Sequence, residues 1–237
     1  MTKINLFNVD VLNLRTERQK YNDELVFNLL TNKTSRVDIE KNINGKALDR
    51  ILSEEKMTYE QLLEQCVNPF ITRSISRNIS INASRQGKID EKLIIDGVAS
   101  VMTKYDITIK GCDVNGIRFC NDGRVLDGKT FKKENLDKDK DSMKSIDGII
   151  EGKVNGYIFA KVVIGGGGHQ DNVLGESIKF IDWVNKFGSN DKLYVVLVDG
   201  EDLSKIKNLE KENLWIVNHI ELQKRLIELV MKEKREL

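Results

Sequence analysis

Proline, histidine and cysteine are all scarce in this chain of 237 residues, and each shortage limits what the protein can be. There is one proline, Pro69, with two histidines and three cysteines at positions 66, 112 and 120. An odd number of cysteines at wide spacings argues against a disulfide framework, and the lack of a CxxC pair argues against a structural zinc site. The sequence also opens without the pattern of a secretory signal, so we expect a reducing, cytoplasmic location.

Long apolar runs and an excess of one charge are missing too. No run reaches the roughly 18 apolar residues expected of a membrane-spanning helix, so we expect no membrane partner. Lys and Arg number 38 against 37 Asp and Glu, a formal net charge of +1. Any nucleic-acid surface must therefore be a local basic patch. An apolar content of 40% suffices for a sizeable core, and the length allows one large domain or a core with an appendage.

The hydrophobic pattern predicts a helical first part and a mixed second part. Residues 16–66 read as helical, and residues 68–82 read as a polar connection rich in Ser, Asn and Arg. A helix is predicted over 85–104 behind the N-cap Ser84. Further on, the pattern predicts strands over 105–110, 146–151, 157–164, 193–198 and 214–217, a hairpin turn at 121–123, and helices over 174–187 and 220–234. We therefore predict a helical region, 1–83, serving recognition or dimerisation, and an α/β core, 84–237, with a central mixed sheet flanked by helices.

Two polar residues stand out within the predicted strands of the core. Asp147 opens one strand, and Lys161 lies fourteen residues later inside the next strand, which is otherwise almost wholly apolar. Lysine is rarely buried without a partner, so we expect the acid of the neighbouring strand to lie beside it. A carboxylate and an ammonium placed in this way are suited to hold a divalent metal ion, a phosphate and a water, as a nuclease requires.

Over residues 84–218 this order of elements resembles the PD-(D/E)XK nuclease superfamily, and within it the type II restriction endonucleases. Asp147 matches the aspartate that opens the family's second core strand, Lys161 matches the lysine of the third, and Glu91 matches a glutamate near the start of the first helix. The third strand departs from the family pattern, because Phe159 stands where the acid of acid-x-lysine belongs. If Lys161 is instead aligned with the acid, Val163 stands where the lysine belongs. The resemblance implies a Mg²⁺-dependent, sequence-specific endonuclease that cleaves double-stranded DNA as a homodimer.

Three accounts of the missing acid remain open. In the first, which we favour, the acid has migrated to the following helix, as in some restriction enzymes of this superfamily, where Glu176 lies fifteen residues after Lys161. In the second, Glu151 contributes, because alternation places it on the same strand face as Asp147. In the third, the site is disabled. Under the first account the resemblance implies that Asp147, Glu176 and the carbonyl of Val162 hold the metal, and that Lys161 contacts the scissile phosphate and the attacking water, with Glu91 a further catalytic acid.

Two polar segments are candidate DNA-binding regions. The first precedes and enters the predicted helix, whose N-terminus favours anions, and comprises Arg73, Arg77, Arg85, Gln86 and Lys88. The second follows four glycines at 165–168 and comprises His169, Gln170 and Asn172. Phosphate contacts position a protein on DNA, whereas contacts to base edges specify sequence, and a palindromic target implies a twofold dimer. The alternatives are a catalytically silent DNA-binding protein on the same fold and a nuclease directed by DNA structure without sequence preference.

Overall fold

The computed structural model describes residues 5–113, 116–163, 168–200 and 203–236, and these form two compact units. The first unit is Leu12–Gln86, and the second combines the segment that ends at Val11 with Gly87–Leu237. The predicted boundary after residue 83 thus falls three residues before the observed one. The residues before α1 group with the core unit rather than with the helical region to which the sequence pattern assigned them.

The first unit is built of one long helix and four shorter ones packed around one apolar core. In chain order its helices are α1 (Val11–Thr31), α2 (Arg36–Ile39), α3 (Gly45–Glu54), α4 (Tyr59–Gln65) and α5 (Pro69–Ile79). Thr58 and Gln61 form the capping box that begins α4, as their spacing predicts. Side chains from all five helices meet in the core, among them Leu30, Leu48 and Leu62, each at most 1% exposed.

Helix α5 replaces the polar connection that the sequence pattern predicts over 68–82. Pro69 occupies the first turn, which its fixed φ suits, and the Asn68 side chain accepts a hydrogen bond from the first turn. Thr72, Ser76 and Ile79 are fully buried on one face of the helix. The hydroxyl of Thr72 donates to carbonyls of the preceding residues at 2.8 Å. Small hydroxyl side chains can therefore line this helix–helix contact without leaving a polar group unpaired. Because Thr72 and Ser76 are not apolar, the spacing of apolar residues does not show the helical period of α5.

The second unit is an α/β core, which confirms the predicted fold class. Its strands in chain order are β1 (Ile107–Gly111), β2 (Arg118–Phe119), β3 (Val125–Leu126), β4 (Gly148–Gly152), β5 (Gly156–Val163), β6 (Leu193–Gly200) and β7 (Leu214–Val217). A five-stranded mixed sheet has the order β1-β4-β5-β6-β7, with antiparallel pairing from β1 to β5 and parallel pairing from β5 to β7. The hairpin of β2 and β3 turns at Gly123, whose φ of +92° suits glycine.

The helices of the second unit are α6 (Gly87–Met102), α7 (Gly128–Lys133), α8 (Gly168–Phe187), α9 (Leu203–Ile206) and α10 (His219–Glu236). Three of them, α6, α8 and α10, pack in the apolar clusters on the two faces of the central strand β5. Ile158, Ala160 and Val162 of β5 pack in the apolar cluster with α6 and α10, whereas Phe159 and Val163 pack in the cluster with α8. This two-sided burial is what the nearly continuous apolar run predicts. None of the helices in the described ranges combines the length and apolar character needed to cross a membrane.

Candidate active site

Asp147 lies where β4 and β5 separate. The last residue pair between these strands is Gly148 with Ile158. One residue earlier, the backbone N–H of Asp147 still donates to the Ile158 carbonyl at 2.9 Å, while its carboxylate Oδ2 accepts the N–H of Ala160 at 2.8 Å. The carboxylate therefore takes the place of a strand carbonyl, and this bond orients the Asp147 side chain along β5.

The ammonium of Lys161 lies among three carboxylates. Its Nζ is 3.6 Å from Glu91 Oε1, 3.8 Å from Glu176 Oε2 and 4.0 Å from Asp147 Oδ2. The Lys161 side chain is 11% exposed and that of Glu91 14%, while Asp147 and Glu176 are about a quarter exposed. The four predicted catalytic residues thus come together, with Asp147 and Lys161 side by side as their positions on adjacent strands predict.

Four different elements supply this cluster. Glu91 comes from α6, Glu176 from α8, Lys161 from the middle of β5 and Asp147 from the residue before β4. Because the helices pack on the sheet from separate parts of the chain, the cluster exists only in the folded core. We refer to Glu91, Asp147, Lys161 and Glu176 as the acid–lysine cluster.

Phe159 stands two residues before Lys161, where the resemblance led us to expect an acid. Its side chain is 2% exposed, and its ring stacks on Phe180 of α8 with centroids 5.2 Å apart. The Nζ of Lys161 lies 4.4 Å from the centroid of the Phe159 ring, a distance typical of cation–π attraction. Phe159 is therefore a core residue and also one wall of the lysine site.

Loss of hydration dominates the electrostatics of two carboxylates in the cluster. Burial raises the pKa of Asp147, against the opposing effects of Lys161 and of the hydrogen bond from Ala160. Burial also raises the pKa of Glu91, again opposed by Lys161. Carboxyl groups perturbed by both burial and a specific charged partner cluster at functional sites.

A second lysine, Lys144, contacts the cluster and is a residue that sequence reasoning missed. Its Nζ forms an ion pair with Glu176 Oε1, so Glu176 is bridged between Lys144 and Lys161. Lys144 closes a stretch so rich in lysine and aspartate that nothing in the local pattern distinguishes it. Only the packing of this loop near α8 identifies it.

A cleft of about 300 Å³ adjoins Asp147 and Glu91. It is lined by Lys88, Glu91, Lys92, Ile95, Asp96, Gly111, Cys112, Asp113, Ser145, Ile146 and Asp147. Lys88, a predicted DNA contact, therefore lies beside the acids. Burial raises the pKa of the Cys112 thiol, which leaves it protonated near neutrality and unsuited to act as a nucleophile.

The donor atoms of the cluster are of the type that Mg²⁺ prefers, because carboxylate oxygens are its usual protein ligands. In the part of the chain that the structure describes, no group of three or more His, Cys, Asp or Glu side chains is arranged to hold a metal ion. The ammonium of Lys161 stands where the three carboxylates meet. Val162 pairs with Asp199 in the β5–β6 ladder, and the role of its carbonyl as a ligand stays a prediction.

Glu151, the other candidate for the missing acid, lies elsewhere. Its carboxylate contacts Lys110 across the β1–β4 pair at 2.5 Å, and about half of its side chain is exposed. Among the ion pairs of the described residues, Lys161 contacts Glu176 and not Glu151. The geometry therefore favours the migrated acid over Glu151.

The predicted DNA contacts of the helical unit differ in their surroundings. Arg73 forms an ion pair with Glu24 and lies 3.9 Å from the centroid of the Phe27 ring, so its charge serves contacts within the unit. Arg77 is exposed and lines a cleft of this unit. Gln86 ends a 3₁₀ turn, Ala83–Gln86, that precedes α6.

The structure does not describe the side chains of several predicted DNA contacts. This holds for Arg85 and for His169, Gln170 and Asn172, while residues 165–167 of the glycine run are outside the described residues altogether. The backbone of 168–172 is nevertheless helical, because α8 begins at Gly168 and not at the predicted residue 174. The predicted start of this helix at residue 174 is therefore six residues too late.

Comparison with protein-family models, with curated proteins and with solved structures gives no match.

Proposed function

We propose that the protein is a metal-dependent phosphodiesterase. The observation that supports this best is the convergence of three carboxylates on the buried Lys161, within 4.0 Å. Metal-dependent hydrolysis of a phosphodiester uses a metal site, a cation for the phosphate and a positioned water, and an acid–lysine cluster can supply the protein groups for all three. More particularly, we propose a sequence-specific endonuclease of the restriction type that acts on double-stranded DNA. The element order and the positions of Asp147, Lys161 and Glu91 support this choice through their resemblance to that family.

Each residue of the cluster then has a defined task. Asp147 and Glu176 would hold Mg²⁺, which when bound would acidify a water and stabilise the leaving oxygen. The N–H of Ala160 orients Asp147 for this task, and Lys144 orients Glu176. Lys161 neutralises the scissile phosphate and positions the attacking water, while Glu91 holds the lysine from the α6 side.

Cleavage of plasmid DNA in the presence of Mg²⁺ tests the proposal. The wild-type protein is expected to yield discrete fragments, and Asp147→Ala or Lys161→Ala is expected to abolish cleavage while DNA binding persists. Glu176→Gln has a matched control in Asp182→Asn, since Asp182 is an exposed acid on the same helix. Plasmid that stays intact with Mg²⁺ or Mn²⁺ across a range of salt would refute the nuclease, and a smear in place of bands would refute sequence specificity.

The same cleavage assay distinguishes Glu176 from Glu151 as the source of the missing acid. If Glu176 is the second metal ligand, Glu176→Gln abolishes cleavage and Glu151→Gln does not. The reverse result would assign the role to Glu151, against the observed geometry. The twofold dimer predicted for a palindromic target is checked by light scattering, where the expected mass is twice the chain mass of 27.1 kDa.

A specific observation favours a second candidate, a catalytically silent DNA-binding protein on the same fold. Phe159, locked in the core against Phe180, takes the acid's place, and Lys161 occupies the centre of the carboxylates. Calorimetry distinguishes the two functions, because the nuclease binds Mg²⁺ with a signal that Asp147→Asn removes. A gel shift without cleavage, together with no such signal, would select the silent protein.

A further inference from the structure

A polar cleft of about 760 Å³ lies within the helical unit, between α1, α3, α5 and the residues that follow α5. Three cationic side chains, Lys46, Arg50 and Arg77, line it together with four side-chain amides, among them Asn44 and Asn78. We refer to it as the basic cleft. Of its residues, the sequence pattern singled out Arg77 alone.

Among the described residues, no acid forms an ion pair with the cations of the basic cleft. Lys46, Arg50 and Arg77 are exposed, and none of their side chains forms an ion pair or hydrogen bond with another residue that the structure describes. By contrast, Arg36 and Arg73 of the same unit are both paired with acids. Lys46 and Arg50 also stand four residues apart on α3, where two like charges repel each other. A fold that keeps this repulsion uncompensated leaves the cations free for an external anion.

The one carboxylate in the lining is already engaged. Asp23 Oδ1 accepts hydrogen bonds from the Gln19 amide at 2.7 Å and from the Ser80 hydroxyl. The second of these bonds connects α1 to the residue after α5, so the acid serves the structure of the unit. Three cations and one carboxylate leave the lining with a net charge of +2.

The start of α3 adds to the positive potential. Its first turn carries no acid, and the N-cap Asn44 makes no capping hydrogen bond through its side chain to the described first turn. The positive end of the helix dipole is therefore not neutralised, and the Asn44 amide is available to a ligand. Asn78 is exposed as well and donates to the Ser74 carbonyl at 3.0 Å, which leaves its own carbonyl oxygen free to accept.

We propose that the basic cleft binds a strand of nucleic acid through its phosphodiester backbone. Lys46, Arg50 and Arg77 contact phosphates, and Asn44 and Asn78 face sugar or base edges, to which amides hydrogen-bond well. Cations supplied by two helices, in a cleft of this volume, suit an extended polyanion better than one phosphate ion. The inference rests on the proposed function in taking DNA as the ligand, but it does not require cleavage.

Binding of a fluorescent DNA duplex to the full chain, measured by anisotropy in EDTA over a series of salt concentrations, tests the cleft. The variant combines Lys46→Gln, Arg50→Gln and Arg77→Gln. Its matched control combines Lys33→Gln, Lys41→Gln and Lys56→Gln, which removes the same charge from exposed positions of the same unit outside the cleft. Circular dichroism verifies that both variants fold.

The cleft variant is expected to bind on the order of tenfold more weakly or worse, and its plot of log K against log salt should be shallower by about 2–3. The control should stay close to the wild type. Equal losses in the two variants would overturn the proposal, because net charge alone would then explain binding. Competition by a mononucleotide as effective, per phosphate, as the duplex would also overturn it in favour of a small-phosphate pocket.

The outcomes separate this proposal from the nuclease. A wild-type protein that binds no DNA overturns both. Binding that depends on the cleft, without cleavage in Mg²⁺, supports the cleft and refutes the nuclease. Cleavage by the wild type, with binding unchanged in the cleft variant, refutes the cleft alone.

Discussion

Removing the ammonium from the acid–lysine cluster is the most informative single change. Lys161→Met keeps most of the length and apolar stem of the side chain but leaves Glu91, Asp147 and Glu176 facing one another. We expect the metal-free variant to be substantially less stable, and we expect Mg²⁺ to restore much of the loss, since a divalent cation can replace the missing charge.

The geometry sets the size of this effect. At 3.6–4.0 Å, a pair of unit charges attracts by about 4 kcal/mol at an effective dielectric constant of about 20. Most of that is offset by the desolvation of the ions. Breaking a fully buried ion pair costs about 3–5 kcal/mol, and an exposed pair contributes about 0–1 kcal/mol. Because these side chains are 11–26% exposed, we expect a loss of about 2–3 kcal/mol in the free energy of unfolding.

Urea denaturation in EDTA and in Mg²⁺ measures both quantities. Lys110→Met is the matched control, because Lys110 pairs with Glu151 on the same sheet while its side chain is 58% exposed. The control is expected to lose about 0–1 kcal/mol and to gain nothing from Mg²⁺. If Lys161→Met is no less stable than Lys110→Met, the cluster is not held by its lysine. If Mg²⁺ restores nothing, the carboxylates do not form a cation site.

Three further predictions concern stability. In metal-free protein, Asp147→Asn should raise the free energy of unfolding at pH 7 by about 0.5–2 kcal/mol. The neutral amide avoids the cost of burying a charged carboxylate. The raised pKa means that the folded state holds the Asp147 proton more tightly, so wild-type stability falls as the pH rises above about 3.8. A gain from Asn that persists below that pH would contradict this cause. Burial raises the pKa of Tyr59 to about 12, so wild-type stability should fall between about pH 10 and 12 as the unfolded state loses its proton first. The Tyr59→Phe variant should not show this alkaline decline. At neutral pH it should be less stable by about 1 kcal/mol, because it lacks the hydrogen bond to the Thr34 carbonyl. A variant whose stability falls between about pH 10 and 12 as in the wild type would contradict this prediction. Phe180→Ala should lose about 3–5 kcal/mol in urea denaturation, because the ring is 1% exposed within the aromatic core; a loss below about 1 kcal/mol would show that the core adapts.

Sequence patterns identified those features that depend on neighbours along the chain. The apolar run of β5 predicted a strand buried on both faces, and Lys161 stood out as the one charged residue within that run. The Asn-Asp-Gly sequence predicted the hairpin turn at Gly123, because such a turn needs a positive φ, which glycine adopts readily. Local signals failed at α5, where small hydroxyl side chains fill a buried face that the pattern expects to be apolar.

Tertiary packing decided the features that join distant parts of the chain. The sequence alone left the missing acid open between Glu176, Glu151 and a disabled site, and the packing of α8 on the sheet brought Glu176 to the lysine. No local sequence signal identifies Lys144, or the joint presence of Lys46 and Arg50 in the basic cleft. An exposed lysine or arginine has the same sequence signature beside a functional cleft as on any other solvent-exposed surface. Burial, convergence and the lack of a counterion are properties of three-dimensional neighbours, which the order of residues does not display.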